Sequence, residues 1–357
     1  MDIAQLKSIQ QNFVKELQAS NAGKKTSLPF ILHKLSSVPI VKAGEIFQVM
    51  VIGGSIFKKA LLQKTKDRIE IIRKETEQLI SFKTEGDFLS FIDSELSNNI
   101  QILGINFAYP LKPVFEKGKL DGVLLAVTKE GGFHGLVGKK VGEEIEKYVL
   151  AKRRKKIKVS VANDTVCLLT AGLLEFKQEE LAAGIVGTGF NMAFFLDKNH
   201  LVNLEAANFD KFEQSKEGKI IDNASAKPGR SLFEKETAGA YLYKHFSLIV
   251  KSKKINFSAI RSTEELDSLS RKNIPQVSRI AQNLIKRSAQ LVACQIAGIT
   301  ELKKHSMVFN MEGSLFWKGN GYKDAVEETV KQLVPEYEAK FVEIENSAIL
   351  GAAKLVC

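Results

Sequence analysis

Residues 157–172 read IKVSVANDTVCLLTAG. The first six residues form a β-rich apolar stretch, the polar trio Asn163-Asp164-Thr165 follows at once, and VCLLTAG continues as a buried helix. A strand that ends in polar residues and enters a helix is the basic step of an α/β fold. The carboxyl ends of such strands are where these folds place ligands. Asp164 is therefore a candidate general base. The same trio also reads as a helix N-cap, a position that Asn and Asp fill well.

Working outward, GIVGTGFNMAFFL (184–196) reads as strand, glycine turn and strand, and FQVMVIGGSIFKKALLQK (47–64) as a β-rich stretch broken at Gly53-Gly54. A third small-residue turn, Gly313-Ser314, follows MVFNME. Turns at 53–55 (Gly53, Gly54, Ser55), 187–189 (Gly187, Thr188, Gly189) and 313–314 suit phosphate binding. Glycine lets backbone N–H groups approach anionic oxygens, and the hydroxyls add donors. Each also reads as an ordinary β-turn, and none is followed by the Gly-Lys-Ser/Thr of a P-loop.

The pattern predicts helices over 3–20, 30–35, 84–99 and 139–156, strands over 100–110 and 121–128, and a meander reaching about Lys83. Mostly helical sequence follows over 228–305, and after MVFNMEGSLF come a helix, the strand KFVEIENS and a terminal helix AILGAAKLVC. Strands and helices alternate through both halves, which predicts an α/β protein with mixed sheets.

At 357 residues the chain has room for two domains, and its 44% hydrophobic and 26% charged residues exclude disordered and disulfide-scaffold classes. Cys167, Cys294 and Cys357 lie far apart, without a C-x-x-C pair, and the five histidines have no metal-ligand spacing, so no metal-binding residues are expected. The N-terminal stretch is amphipathic and charged, unlike a signal peptide. The near-apolar run 182–196 is short for a membrane span, so a cytoplasmic protein without a membrane partner is expected. The net charge of +11 allows an anionic partner. The basic run AKRRKKIK (151–158) lacks interleaved aromatics and reads better as a solvated helix end than as a nucleic-acid patch, so no nucleic acid is expected. Oligomeric state is not readable.

Taken in order, VANDTVCLLTAG, GIVGTGFNMAFF, VNLEAANF, KPGRSLFEKETAGAYL and FNMEGSLF, flanked by LKSIQQNFVKELQ and NSAILGAAKLV, resemble the hexokinases, the sugar kinases of the actin-like ATPase superfamily. The likeness runs over essentially the whole chain. It implies a two-lobed actin-like (ribonuclease H-like) fold with mixed sheets flanked by helices and a cleft between the lobes. Residues 41–158 with 346–357 would form the small lobe, and 1–40 with 159–345 the large one. It implies ATP and Mg²⁺ as cofactors and a hexose substrate. By the resemblance, Thr128, Lys129, Asn163, Asp164, Asn191, Glu205 and Glu234 bind sugar, with Asp164 and Lys129 also catalytic, while the three small-residue turns bind nucleotide.

The chain departs from the family pattern at three places. Ala108 stands for a serine in FAYP. Val51, Ile56 and Lys58 stand for the aspartate, asparagine and arginine of the first phosphate motif. Residues 347–353 keep only their final Gly-Ala-Ala. Asp121 and Glu312 are carboxylates to check as replacements at 51. The intact Asp164 favours an active hexokinase, and the altered motif leaves open a weakened homologue acting as a sugar sensor or regulator.

Overall fold

The computed structural model describes residues 1–36, 38–53, 56–66, 68–126 and 133–357. In chain order the elements begin with α1 (Ile3–Asn21), β1 (Ile31–Lys34), β2 (Ile46–Ile52), β3 (Ile56–Lys64), β4 (Ile69–Gln78) and α2 (Glu85–Glu95). Then come β5 (Ile102–Phe107), β6 (Leu111–Glu116), β7 (Lys119–Leu124), α3 (Val141–Arg153), β8 (Lys158–Ala162) and α4 (Asp164–Ala171). β9 (Leu181–Val186), β10 (Phe190–Phe195) and β11 (His200–Asn203) lead into α5 (Lys216–Asn223), α6 (Leu232–Thr237), α7 (Gly239–Ser252), α8 (Thr263–Ser270) and α9 (Pro275–Lys303). The chain closes with β12 (Met307–Glu312), α10 (Ser314–Lys318), α11 (Tyr322–Leu333), β13 (Ala339–Val342) and α12 (Ser347–Lys354).

Packing divides the chain into two compact units. One holds Met1–Phe30, Ala182–Met192 and Asn203–Val342; the other holds Ile31–Leu181, Ala193–Val202 and Glu343–Cys357. In the second unit a five-stranded sheet has the order β4-β3-β2-β5-β8. β2 pairs antiparallel with β3 and parallel with β5, which in turn is parallel to β8. One face packs on α2 and α3 through Met50, Ile52, Ile105, Phe107, Val159 and Val161. Phe82, Phe88, Phe107 and Phe133 meet there with ring centroids 5.3–6.0 Å apart. The other face receives α12. Gly104 lies so close to Ala352 O that a Cβ would collide, and Gly351 lies as close to the Cys167 carbonyl on α4. Two glycines thus let a helix sit directly on a strand and on another helix.

The first unit is built on α9, which starts with Pro275 at its first turn and is buried along most of its length. Phe13 of α1 packs against Gly298, where any side chain would clash. Its strands follow the order β10-β9-β12-β13, with β12 and β13 parallel. β1 and residues 200–202 of β11 belong to the second unit.

The helix expected at 30–35 is instead strand β1. Six residues cannot hold a helix alone; Phe30 adopts φ 49° and Leu35 N–H bonds to Asn199 O at 3.2 Å. The stretch 111–116, unassigned from sequence, forms hairpin β6-β7. Among the described residues, no helix is long and apolar enough to cross a membrane, and no group of three metal-ligating side chains converges. Among the described residues no disulfide is formed. Two cations of the basic run are drawn inward: Arg153 Nε bonds to Asp93 Oδ1 at 2.6 Å, and Lys152 lies 3.3 Å from Asp93 Oδ2.

Candidate active site

In the second unit, register fixes which residues share an edge. Val51 pairs with Asn106, and Asn106 with Ala162. Strands β2, β5 and β8 therefore finish level, and Gly53, Ala108 and the Asn163-Asp164 pair follow at one carboxyl edge, where α/β sheets hold ligands. Asn163 is the N-cap of α4, and its Oδ1 accepts Thr165 N–H at 3.0 Å. Asp164 is the first helical residue and half-buried. Its Oδ1 accepts the same N–H at 2.7 Å and the Thr165 hydroxyl at 3.3 Å. The cap, Asn163, and the candidate base, Asp164, are thus neighbours. The positive end of α4 favours negative charge there.

Gly53 N–H, just after β2, bonds to Ile56 O at the start of β3 at 3.1 Å. Gly54, Ser55, Thr128 and Lys129, expected in the site, lie outside the described residues. Val51 is buried within β2 and offers no metal ligand. Asp121 has another use: its carboxylate accepts N–H bonds from Gly122 (2.7 Å), Gly142 (2.8 Å) and Glu143 (3.0 Å). It caps α3, whose own boundary residue Lys140 supplies no side-chain cap. Burial nonetheless pushes its carboxyl above the ordinary aspartate pKa. Glu312 is exposed at the end of β12 in the first unit.

The first unit gathers the other candidates. Gly187 O accepts Gly239 N–H at 2.8 Å, and Thr188 O accepts Ala240 N–H at 3.1 Å, so the turn at 187–189 rests on the start of α7. Gly313, at φ 124°, fits against Val186 O where a Cβ would collide. The turns at 187–189 and 313–314 therefore meet. They open onto a cavity of about 410 Å³, a size suited to a small ligand, lined also by Tyr243, Arg261, Thr263, Asp267 and Lys318. These last residues were not found from the sequence, because nothing local distinguishes them from ordinary helix surface.

Asn191, Glu205 and Glu234 follow from the same turn. Asn191 Nδ2 donates to Asn203 Oδ1 at 2.8 Å, and Asn203 Nδ2 donates to Glu205 Oε1 at 2.9 Å. Asn191 Oδ1 accepts N–H bonds from Met192 (2.8 Å) and Ala206 (3.1 Å). Glu205 has φ 48°, a left-handed conformation uncommon outside glycine, asparagine and aspartate. Glu234 Oε2 accepts Phe190 N–H at 3.0 Å. Burial pushes the Glu234 carboxyl above its ordinary pKa, with the Phe190 N–H and the Lys235 charge opposing. Asn203, buried and central to this chain of bonds, was missed; its only sequence signal is its place two residues before Glu205 in VNLE. The arrangement presents oriented amides and carboxylates, the groups that recognise several hydroxyls at once.

Profiles described as Hexokinase match residues 1–173 and 243–357. The hexokinase of Kluyveromyces lactis is 23% identical, covering 99% of this chain and 88% of the relative, and Hexokinase-1 of Spinacia oleracea is 23% identical with 99% and 87% covered. Among solved structures, the hexokinase of Schistosoma mansoni complexed with glucose superposes with a TM-score of 0.79 at 19% identity, over 100% of this chain and 95% of that one. A ROK family glucokinase from Streptomyces griseus, in complex with glucose and AMPPNP, gives 0.56 at 14% identity, over 87% and 99%. The fold is that of the two-lobed actin-like sugar kinases, and the chain belongs to the hexokinase family.

Proposed function

We propose that this chain is an ATP-dependent hexokinase that phosphorylates the C6 hydroxyl of a hexose, glucose first among them, to give hexose 6-phosphate and ADP. The hydroxyl oxygen bonds to the γ-phosphorus, the bond from that phosphorus to the ADP oxygen breaks, and Asp164 accepts the hydroxyl proton. Such transfers ask mainly for in-line positioning and charge neutralisation. Backbone amides of 53–55 and 187–189, with Thr188, would face the phosphates, and 313–314 would border the nucleoside in the 410 Å³ cavity. Asn191, Glu205 and Glu234, with Asn163, would read the sugar hydroxyls. A wrong sugar would leave buried polar groups unpaired. Thr128 and Lys129 complete the proposal on the family resemblance alone.

The observation that carries this reading is Asp164, half-buried at the start of α4 on the carboxyl edge of three level strands. The donor set does not suit a metal held by protein carboxylates, since Val51 is apolar and buried. Mg²⁺ belongs to the proposal only as the counter-ion of the ATP phosphates, and no step is assigned to it. The small lobe of 41–158 with 346–357, the large lobe of 1–40 with 159–345 and a cytoplasmic location belong to the same proposal. The test is a coupled ADP-release assay with ATP, Mg²⁺ and a panel of hexoses. Sugar-dependent release supports the kinase and names its preferred acceptor. A second reading, a sugar-binding sensor with weakened catalysis, is favoured by Val51. It predicts no release while sugar still raises the melting temperature.

A further inference from the structure

Glu234 opens a run of three charged residues, Glu234-Lys235-Glu236, on α6. That helix has six residues and no side-chain cap, and Ser231 at its start sits at φ 50°. A helix this short does not hold itself. Its place is set by what its side chains reach.

Lys235 is buried and spends all three donors: on Asp222 Oδ1 at 2.5 Å, Ser225 Oγ at 2.9 Å and Lys227 O at 3.1 Å. Its own carbonyl accepts the Nε2–H of buried His245 at 2.8 Å. Glu236 is also buried. It receives Arg287 Nη1 at 2.5 Å, Ser215 N–H at 2.7 Å and the Ser215 hydroxyl at 3.0 Å. Asp222 lies near the end of α5, and Ser215 is its N-cap, so the two residues fasten α6 to both ends of that helix. Arg287 ties it to the long helix α9. Gly218, in the first turn of α5, sits where a Cβ would collide with Glu236 Oε1. A buried carboxylate is costly unless paired and hydrogen-bonded. This one is both, although none of its partners has a part in the proposed phosphoryl transfer.

We propose that Glu236, held by Arg287 and Ser215 over Gly218, is a positioning residue that fixes the Glu234 carboxylate against Phe190 N–H at the start of β10 and so sets affinity for the acceptor sugar. The inference rests on the assignment of Glu234 to the sugar site. It predicts that loosening the brace weakens sugar binding selectively. Misplacing a binding group is felt in the ligand it contacts, and the nucleotide cavity is lined by other residues.

The test uses the full chain with Glu236→Gln, Gly218→Ala and Arg287→Lys. Gly218→Ala changes no charge and, on helix propensity alone, favours α5. Its Cβ meets Glu236 Oε1, so a purely structural role predicts a lower melting temperature with both KM values unchanged. The brace predicts that the sugar KM rises about tenfold in Glu236→Gln and several-fold in Gly218→Ala, with the ATP KM nearly constant. Arg287→Lys, which keeps the positive charge, gives a smaller rise in the same direction. A sugar KM unchanged in soluble variants overturns the inference, as does an equal rise in both KM values. If Glu236→Gln does not fold, the other two variants decide by the same criteria. Absence of any hexose-dependent ADP release from the wild type refutes the kinase reading instead. Sugar affinity is then read from the sugar-induced rise in melting temperature, which the same variants must reduce.

Discussion

In the first unit the turn at 187–189 is held from three directions: its carbonyls by the amides of 239 and 240, its rear by Gly313, and its continuation by Glu234 on Phe190 N–H. In the second unit Gly53 N–H bonds to Ile56 O, after a strand that carries Val51, a position where the resemblance implies a carboxylate. The residues assigned to sugar and nucleotide in the first unit are cross-braced. The first phosphate motif carries Val51 and Ile56 in place of an aspartate and an asparagine, and keeps its glycines. A turn that works through amide N–H groups tolerates such loss better than one that works through a carboxylate. The altered motif and the retained Asp164 are compatible on that account.

The first unit's turns should not tolerate replacement. Gly313→Ala places a side chain at φ 124° and against Val186 O, which should cost about 4 kcal/mol in strain and overpacking. We expect a lower melting temperature and a raised ATP KM, with the sugar-induced melting shift retained. An unchanged ATP KM would show that the two turns do not act together. Val51→Asp sharpens the other side. A carboxylate at this buried position should cost about 2 kcal/mol of stability without raising turnover. A gain in turnover would mean that the missing carboxylate limits the enzyme, as the sensor reading requires.

The smallest effect is in pH. In the proposed sugar site Glu234 would accept hydroxyls as a carboxylate, and its pKa is raised by burial. Sugar affinity should therefore be full above that raised pKa and fall as the pH drops through it, beginning at a higher pH than for an ordinary glutamate. Stability runs the opposite way. The folded state holds this proton more tightly than the unfolded chain, so the group's contribution is full at low pH and lost as pH rises through the folded pKa. Sugar KM measured against pH should show a few-fold acid limb in the wild type. Glu234→Gln should bind sugar more weakly and lack that limb.

Much of this architecture was legible because it is local. The strand, polar trio and helix at 157–172 is contiguous, and the structure places Asp164 where that order requires. The glycine turns at 187–189 and 313–314 were likewise visible as small residues after apolar strands. What was not legible depends on distant partners. ILHK at 31–34 is a strand only because the sheet provides β11. Asp121 caps a helix that begins some twenty residues later, and no spacing rule announces that. Asn203 matters because Asn191 and Glu205 converge on it, and Glu236 because Gly218 leaves room for it.

On the proposed function, Asp164 performs the chemistry despite the altered first phosphate motif. The direct measurement is hexose-dependent ADP release by the wild type beside Asp164→Ala. We predict clear turnover in the wild type and a loss of about a thousandfold in kcat in the variant, the scale of a general base, with sugar still raising the melting temperature of both. Turnover that survives the substitution, or a wild type that binds sugar yet releases no ADP, would contradict it.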